Sequence, residues 1–198
     1  MRVLVACEFS GTVRDAFIAI GHDAISCDLE PSETEGPHYQ GDVMKIINDG
    51  FDLIIAHPPC TYLANSGVRW LKDNPDRQKL RIESVEFVKR IWSANCEKIV
   101  IENPIGHLST AWQKPSQIIQ PFHHGHKEWK STCLWIKGLP LLKFTNIVEP
   151  DQKRGGGKKP GRISSRLHRL PPSAERQKER SRTYQGIALA MATQWGAL

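Results

Sequence analysis

The chain has 198 residues, of which 39% are hydrophobic and 24% are charged, which is typical of one globular domain with a full core. No apolar run approaches the length of a membrane span, and Glu8 interrupts the first apolar run too early for a signal peptide. The five cysteines show no paired spacing, which argues against a disulfide framework and structural zinc. We therefore expect a cytoplasmic protein without a membrane partner or a metal.

Short apolar runs rich in β-branched residues alternate with helical patterns in the N-terminal half. The apolar runs cover residues 3–7, 24–27, 53–56 and 99–101, and the helical patterns cover residues 12–20 and 75–94. This alternation predicts an α/β fold with a single Rossmann-like, doubly wound and mostly parallel sheet.

The pattern changes after residue 115, where short strands and turns replace the βαβ alternation. We expect residues 115–150 to complete the sheet on an antiparallel edge, with Trp129 and Trp135 in the core rather than stacked on bases. Residues 184–195 carry an apolar face at helical spacing, which predicts a last helix. Without an internal repeat or a composition boundary, residues 1–198 are predicted to form a single domain.

Cys60 stands behind two prolines at the end of the buried run 51–56. Pro58 and Pro59 fix φ and remove two backbone donors, so strand pairing must stop there. Cys60 is thus predicted on a stiff loop at the carboxyl end of a strand, where ligands gather in open α/β sheets. A small buried cysteine at a turn is the alternative interpretation.

A second polar pair, Glu102 and Asn103, follows the next buried run, and Pro104 is expected to stop the strand there. The two strand ends could bring the Cys60 thiol and the Glu102 carboxyl group into one crevice. Such a pair can attack an electron-poor ring and hold the ring's nitrogen edge.

The first two strand ends carry a glycine and an acid in the order that suits a nucleotide cofactor. Gly11 follows strand one, Asp28 ends strand two, and Asp42 follows a third short strand. Rossmann-like sheets use a close backbone approach and an acid for ribose hydroxyls at these places. The full Gly-x-Gly-x-x-Gly signature of nicotinamide sites is absent, and a loop or helix-cap role is the alternative for both aspartates.

The positive charge of the chain is concentrated in residues 152–182, which hold 11 Lys and Arg but 2 Glu. Residues 152–182 are predicted to be a mobile basic loop that contacts the substrate, and the glycine-rich part of this loop could follow a phosphate backbone. His123, His124 and His126 form a small cluster without nearby acidic or cysteine partners, which favours a solvent or nucleic-acid contact over a metal.

These motifs together resemble the S-adenosylmethionine-dependent cytosine carbon-5 methyltransferases over most of residues 1–112 and 183–197. The matching elements are Pro58-Pro59-Cys60 with Gly67 seven residues beyond the cysteine, Glu102-Asn103, Phe9-Ser10-Gly11 and Gln185-Gly186. The segments TCLWIKGLP and RTYQGIALAMATQWG resemble compact, phage-type members. The sequence departs from the family at His57, Thr61, Ala64, Pro104 and Ile187, where a glycine, glutamine, serine, valine and asparagine are usual.

The resemblance implies a methyltransferase-type sheet, the cofactor S-adenosylmethionine and a DNA partner, in a host cytoplasm if the chain is phage-encoded. It implies cofactor contacts by Phe9, Gly11, Asp28, Asp42, Pro58 and Gly186. Cys60 would add to carbon 6 of cytosine, and Glu102 would hold N3 and the amino group. Arg166 is the best candidate for the family's active-site arginine, with Arg162 and Arg169 as alternatives. The expected substrate contacts are Asn103, Lys158, Lys159, Arg162 and Arg169.

Other functions remain open at this point. The stretch between Pro104 and Gln185 is short for the family's target-recognition region, so single strands, RNA or a free cytidine nucleotide are alternative substrates. An amino-group methyltransferase fits less well, because Cys60 stands where its signature carries an aromatic residue. A catalytically idle nucleic-acid-binding protein of the same fold would use residues 152–182 alone.

Overall fold

The computed structural model describes residues 1–65, 74–151, 171 and 173–198. The strands are β1 (Arg2–Ala6), β2 (Asp23–Asp28), β3 (His38–Gln40), β4 (Leu53–Ala56), β5 (Lys98–Pro104), β6 (Gln117–Ile119) and β7 (Thr132–Lys137). The helices of the described residues are α1 (Thr12–Ala19), α2 (Pro75–Trp92), α3 (Leu108–Ala111), α4 (Ala174–Ser181) and α5 (Gln185–Trp195). Single 3₁₀ turns cover Val43–Lys45 and Pro121–His123.

The strands form one seven-stranded sheet in the order β3-β2-β1-β4-β5-β7-β6. The first five strands run parallel, and β7 pairs antiparallel with both β5 and β6. The prediction of an α/β, mostly parallel, Rossmann-like sheet with an antiparallel edge is thus confirmed. Because the chain reverses its strand order at β1 and β4, the carboxyl ends of these two strands border the crevice of the sheet.

Two hydrophobic clusters cover the two faces of the sheet. Alternate residues of β1 divide between them: Val3 and Val5 pack with α1 and α5, whereas Leu4 and Ala6 pack with α2. The strands are therefore buried on both sides, which explains why their sequences are continuously apolar. Trp135 is fully buried, as predicted, and its Nε1 donates to the carbonyl oxygen of Gln113.

Strand β5 is longer than the sequence predicts. Pairing with β4 ends at Ile101, but pairing with β7 continues through Glu102, Asn103 and Pro104. The expectation that Pro104 stops the ladder is confirmed, although pairing with β7 continues through Glu102 and Asn103 up to the proline. Proline is tolerated there because it occupies the last paired position of the ladder.

The basic segment ends in a helix rather than continuing as a loop to residue 182. Ser173 caps α4, its hydroxyl accepting a hydrogen bond from the backbone N–H of Arg176. Residues 152–170 lie outside the described residues. Among the helices that the structure describes, none combines the length and apolar character needed to cross a membrane.

Arg14, in α1, is a fully buried guanidinium that holds the segment after β2 in place. It donates to the hydroxyls of Ser26, Ser32 and Thr34 and to the carbonyl oxygen of Glu35. These bonds fold residues 32–37 against the start of α1. A buried charge with this many acceptors is costly to remove, because each abandoned acceptor loses its partner.

Replacing Arg14 with methionine should lower the free energy of unfolding by about 3 kcal/mol, since several buried acceptors are left unpaired. Urea denaturation at neutral pH measures this loss. Arg90→Met, which alters an exposed arginine of α2, is the matched control and should change stability by less than about 1 kcal/mol. Equal losses in the two variants would contradict the structural role given to Arg14.

Candidate active site

The candidate nucleophile and the candidate acid follow neighbouring parallel strands. Ala56 of β4 pairs with Ile101 of β5, so the next residues along the two strands, His57 and Glu102, lie at the same edge of the sheet. The loop of Pro58, Pro59 and Cys60 then leaves β4. The register of two apolar strands thereby brings the Pro-Cys loop beside Glu102, as the sequence predicts.

The side chains of His57 and Glu102 form an ion pair at this edge. His57 Nδ1 lies 2.9 Å from Glu102 Oε2, and the two side chains are 10% and 12% exposed. The hydroxyl of Thr183, just before α5, donates to the same carboxylate oxygen over 3.4 Å. Oxygen Oε2 of Glu102 is thus occupied by the protein.

The surrounding charges keep Glu102 ionised. Burial alone would raise its pKa, but the hydrogen bond and charge of His57, followed by the charge of Lys130, lower the pKa to about 2. Burial likewise opposes the charged form of His57, yet the hydrogen bond and charge of Glu102 raise its pKa above the ordinary value. The site therefore favours a carboxylate beside an imidazolium.

Asn103 locks the Pro-Cys loop to β5. Its Nδ2 donates to the carbonyl oxygen of Pro58 over 2.8 Å, in a buried position. Its Oδ1 is buried and has no hydrogen-bond partner among the described residues. The Asn103 amide nitrogen therefore holds the loop in place, while the amide oxygen stays available as an acceptor.

The loop beyond Cys60 docks on the segment after β5. The N–H groups of Leu63 and Ala64 donate to the carbonyl oxygen of Cys60, and Ala64 forms a bridge with Gly106. A side chain at Gly106 would collide with the carbonyl oxygen of Leu63. Glycine at residue 106 thus permits the close contact that fixes the loop carrying Cys60.

The Cys60 thiol is half-buried and lies in a positive environment. Burial raises its pKa, while the charges of Arg180 and Lys130 lower it, with a net increase above the ordinary value of 9.0. In the resting protein the thiol form therefore dominates at neutral pH. A further positive charge beside it would favour the thiolate, which is the nucleophilic form.

The carboxyl ends of β1, β2 and β3 bring the predicted cofactor acids together. Burial, Asp28, Cys27 and Asp42 all raise the pKa of Cys7, which shows that the two carboxylates lie near the Cys7 thiol. Asp28 accepts from the N–H of Glu30, and Asp42 from the N–H of Met44. Asp28 thus supports the turn after β2, whereas Asp42 caps the 3₁₀ turn Val43–Lys45, and no donor of the described residues reaches the second carboxylate oxygen of either.

The loop after β1 is covered by the segment after β2. Gly11 has φ 72°, and a side chain there would collide with Thr34 and Arg14. The N–H of Glu33 donates to the carbonyl oxygen of Phe9, and Lys178 lies 5.9 Å from the Phe9 ring centroid. Protein atoms therefore account for the glycine at residue 11, and cofactor contacts by Phe9 and Gly11 stay predictions.

Gly186 opens α5 against the histidine cluster. Its N–H donates to His126 Nε2, and a side chain there would collide with the carbonyl oxygen of His124. His124 is buried beside Thr145, and His123 stacks on Phe144. The three histidines thus hold α5 and the neighbouring loop in place.

Sequence reasoning missed several charged residues at the site. His57 was noted as a departure from the family, but its pairing with Glu102 depends on the β4–β5 register. Lys130 and Arg180 come from distant parts of the chain, and nothing in their spacing separates Arg180 from the other arginines of the basic segment. The predicted residues Gly67, Lys158, Lys159, Arg162, Arg166 and Arg169 lie outside the described residues.

Within residues 1–65, 74–151, 171 and 173–198, no three His, Cys, Asp or Glu side chains are grouped so as to hold a metal ion. No protein-family model matches the chain, and no curated protein sequence matches it.

The His57–Glu102 pair should make stability depend on pH in a defined window. With its pKa lowered to about 2, Glu102 contributes stability above its ordinary pKa of 4.5 and loses it as the pH falls toward 2. With its pKa raised, His57 contributes stability below its ordinary value of 6.5 and loses it as the pH rises through its folded pKa. The combined contribution is therefore largest between these ordinary values.

Urea denaturation of the wild type and Glu102→Gln tests this expectation from about pH 3 to pH 9. The difference in the free energy of unfolding should reach a few kcal/mol at about pH 5–6 and shrink on both sides. Glu86→Gln breaks the exposed Glu86–Lys89 pair and should give a small difference throughout. A pH-independent difference for Glu102→Gln would contradict the ionised pair.

Proposed function

We propose that this protein is an S-adenosylmethionine-dependent methyltransferase that adds a methyl group to carbon 5 of cytosine in DNA. The observation that carries the proposal is the junction of β4 and β5. There the Pro-Cys loop and Glu102 lie side by side, joined by the Asn103–Pro58 hydrogen bond. A thiol and a carboxylate at one sheet edge are the two groups that addition to a pyrimidine ring requires.

The topology supports the same assignment. A Rossmann-like sheet with the antiparallel strand β7 between β5 and β6 is the arrangement expected for a methyltransferase-type sheet. In such a sheet the carboxyl ends of β1 and β2 border the cofactor, and the end of β4 borders the substrate. Cys60 follows β4, and Asp28 ends β2, in agreement with these two roles.

The residues at the first three strand ends fit the polar edge of S-adenosylmethionine. Asp28, which is half-buried, keeps an acceptor suited to ribose hydroxyls, and the exposed Asp42 keeps one suited to the adenine amino group. The buried carbonyl of Pro58 is held in place by Asn103, so Pro58 offers a fixed surface beside the same crevice. When bound, the cofactor supplies an electrophilic methyl group on a positively charged sulfur.

The remaining chemistry belongs to the chain's own side chains. Cys60 ionises, and its sulfur adds to carbon 6 of the cytosine ring, which makes carbon 5 nucleophilic. Glu102 accepts a hydrogen bond from the amino group of the ring and shares a proton with N3 as negative charge develops there. After methylation, carbon 5 gives up its proton to a water molecule and Cys60 is expelled, which restores both the ring and the thiolate.

Positive charge beside the nucleophile favours a polyanionic substrate. Arg180 and Lys130 both act on Cys60, and α4 carries Arg176 and Lys178 in addition. Phosphate contacts from such residues position a nucleic acid without reading its sequence. A cytosine in a duplex must be flipped out of the stack before Cys60 can reach carbon 6, at a cost of roughly a few kcal/mol.

Cys60→Ser should abolish transfer of labelled methyl from S-adenosylmethionine to DNA, because a serine hydroxyl is far less nucleophilic toward carbon 6. Duplex DNA, single-stranded DNA, RNA and dCMP are compared, and mass spectrometry locates the methyl group. Cys96→Ser, which changes a half-buried cysteine at the opposite end of β5, is the matched control and should retain transfer. Label on the amino nitrogen, or label that persists in Cys60→Ser, would refute the carbon-5 mechanism.

Asp28→Asn should weaken binding of S-adenosylmethionine by about ten-fold, since a charged acceptor for the ribose hydroxyls is lost. Calorimetric titration with S-adenosylmethionine measures the affinity directly and does not depend on turnover. Asp23→Asn changes the acid at the other end of β2 and should leave the affinity unaltered. Equal affinities in all three proteins would remove Asp28 from the cofactor site.

A further inference from the structure

Among the residues that the structure describes, hydrogen-bond donors reach only one of the two oxygens of the Glu102 carboxylate. Its Oε2 accepts from His57 Nδ1 over 2.9 Å and from the Thr183 hydroxyl over 3.4 Å, which leaves Oε1 for a substrate. When Glu102 and His57 are both charged, the Glu102 carboxylate accepts hydrogen bonds but has no proton to donate. On its own, this Glu102 therefore cannot neutralise charge that develops on a ring nitrogen.

His57 supplies what Glu102 lacks. The charged groups that face it come from three parts of the fold: Glu102 on β5 and Glu8 after β1 favour the imidazolium, and Lys130 before β7 opposes it. Glu8 is itself fixed by the N–H groups of Val13 and Arg14. A carboxylate and an imidazolium together hold one proton more than a carboxylate and a neutral imidazole, so the pair of Glu102 and His57 carries no net charge.

The second nitrogen of His57 indicates that the pair is not there for stability. His57 Nε2 is buried and has no hydrogen-bond partner among the residues that the structure describes. An imidazolium with one unpaired N–H is costly to bury, and apolar residues often replace buried ion pairs without loss of stability. A chemical role explains why a charged histidine occupies this position.

We propose that His57 is a positioning residue that stores the proton that Glu102 passes to N3 of the target cytosine. This inference rests on the proposed function. As the Cys60 thiolate adds to carbon 6, an electron pair moves onto N3. The N–H bond at Nδ1 breaks and the proton binds Oε2 of Glu102, which makes the carboxyl group neutral. Rotation of this carboxyl group then brings the O–H to N3, where the O–H bond breaks and an N3–H bond forms.

The proton returns by the same path when Cys60 is expelled. The neutral pair is thereby restored, and neither group is consumed in a turnover. In the family that the chain resembles, a glycine is usual at this position, so the acid alone must carry the proton. His57→Gly therefore converts the site into the simpler arrangement and isolates the contribution of the histidine.

The test compares the pH profiles of kcat for the wild type, His57→Gly and His57→Gln, with DNA and S-adenosylmethionine. The wild type should keep its activity until the pH rises through the pKa of the pair, because the proton is present below that pKa and lost above it. In both variants the falling limb should move to lower pH. At a pH above 6.5 at which the wild type is still fully active, their kcat should drop about 100-fold, with the KM for S-adenosylmethionine within about two-fold of wild type.

Three further measurements separate a proton store from a structural histidine. Added imidazole should partly restore kcat in His57→Gly, whereas His22→Gln, at the opposite edge of the sheet, should match the wild type throughout. In ¹⁵N NMR titrations without substrate, His57 should remain protonated above pH 6.5, its ordinary pKa, and lose this property in Glu102→Gln. A ring that titrates below its ordinary pKa in the wild type overturns the proposal without reference to activity.

The outcomes distinguish the two proposals. An active wild type whose variants keep the same pH profile overturns the role of His57 and leaves the methyltransferase assignment standing. A wild type that transfers no methyl group to any of the substrates overturns the proposed function, and this role with it. Should His57→Gly fail to fold, the uncharged but bulkier His57→Gln still carries the kinetic test.

Discussion

The parallel register between β4 and β5 is the constraint on which the candidate site depends. It pairs Ala56 with Ile101, so the polar residues that follow the two apolar strands must meet at one edge. The prolines then direct the chain out of the sheet, and Asn103 fixes the first of them through its carbonyl oxygen. A shift of one residue in this register would turn Glu102 to the other face of the sheet and separate it from the Pro-Cys loop.

Burial and charge oppose each other at every reactive group of this site. Burial favours a neutral Glu102, a neutral His57 and a protonated Cys60, yet the first two groups are held charged by each other. The balance differs for Cys60, because Arg180 and Lys130 act on it without a direct hydrogen bond to its sulfur. Glu102 is thus charged in the free protein, whereas Cys60 favours its thiol form. Under the proposed function, a positively charged cofactor would favour the thiolate only once the crevice is filled.

The sequence predicts the elements of this fold better than their connections. Apolar runs and prolines are local features of the sequence. The sequence alone therefore predicts β1, β4, the Pro-Cys loop and the last helix. The extension of β5 through Pro104 and the pairing of His57 with Glu102 depend on neighbours that are far away in the chain. Gly11 shows a related limit: a glycine after strand one suggests a cofactor, but Thr34 and Arg14 already occupy the space beside it.

The C-terminal region connects the two halves of the crevice. Arg182 forms an ion pair with Glu33 of the segment after β2, and Lys178 lies over Phe9 of the loop after β1. Arg180 and Tyr184 flank Arg182, each two residues away. The charge of Arg180 lowers the pKa of Cys60, and Tyr184 precedes helix α5, which packs on α1. The stretch from Lys178 to Tyr184 therefore lies beside two places: the loops after β1 and β2, where the cofactor is expected, and the loop that carries Cys60. Under the proposed function, contact between this stretch and a polyanion would therefore act on both of these parts of the crevice at once.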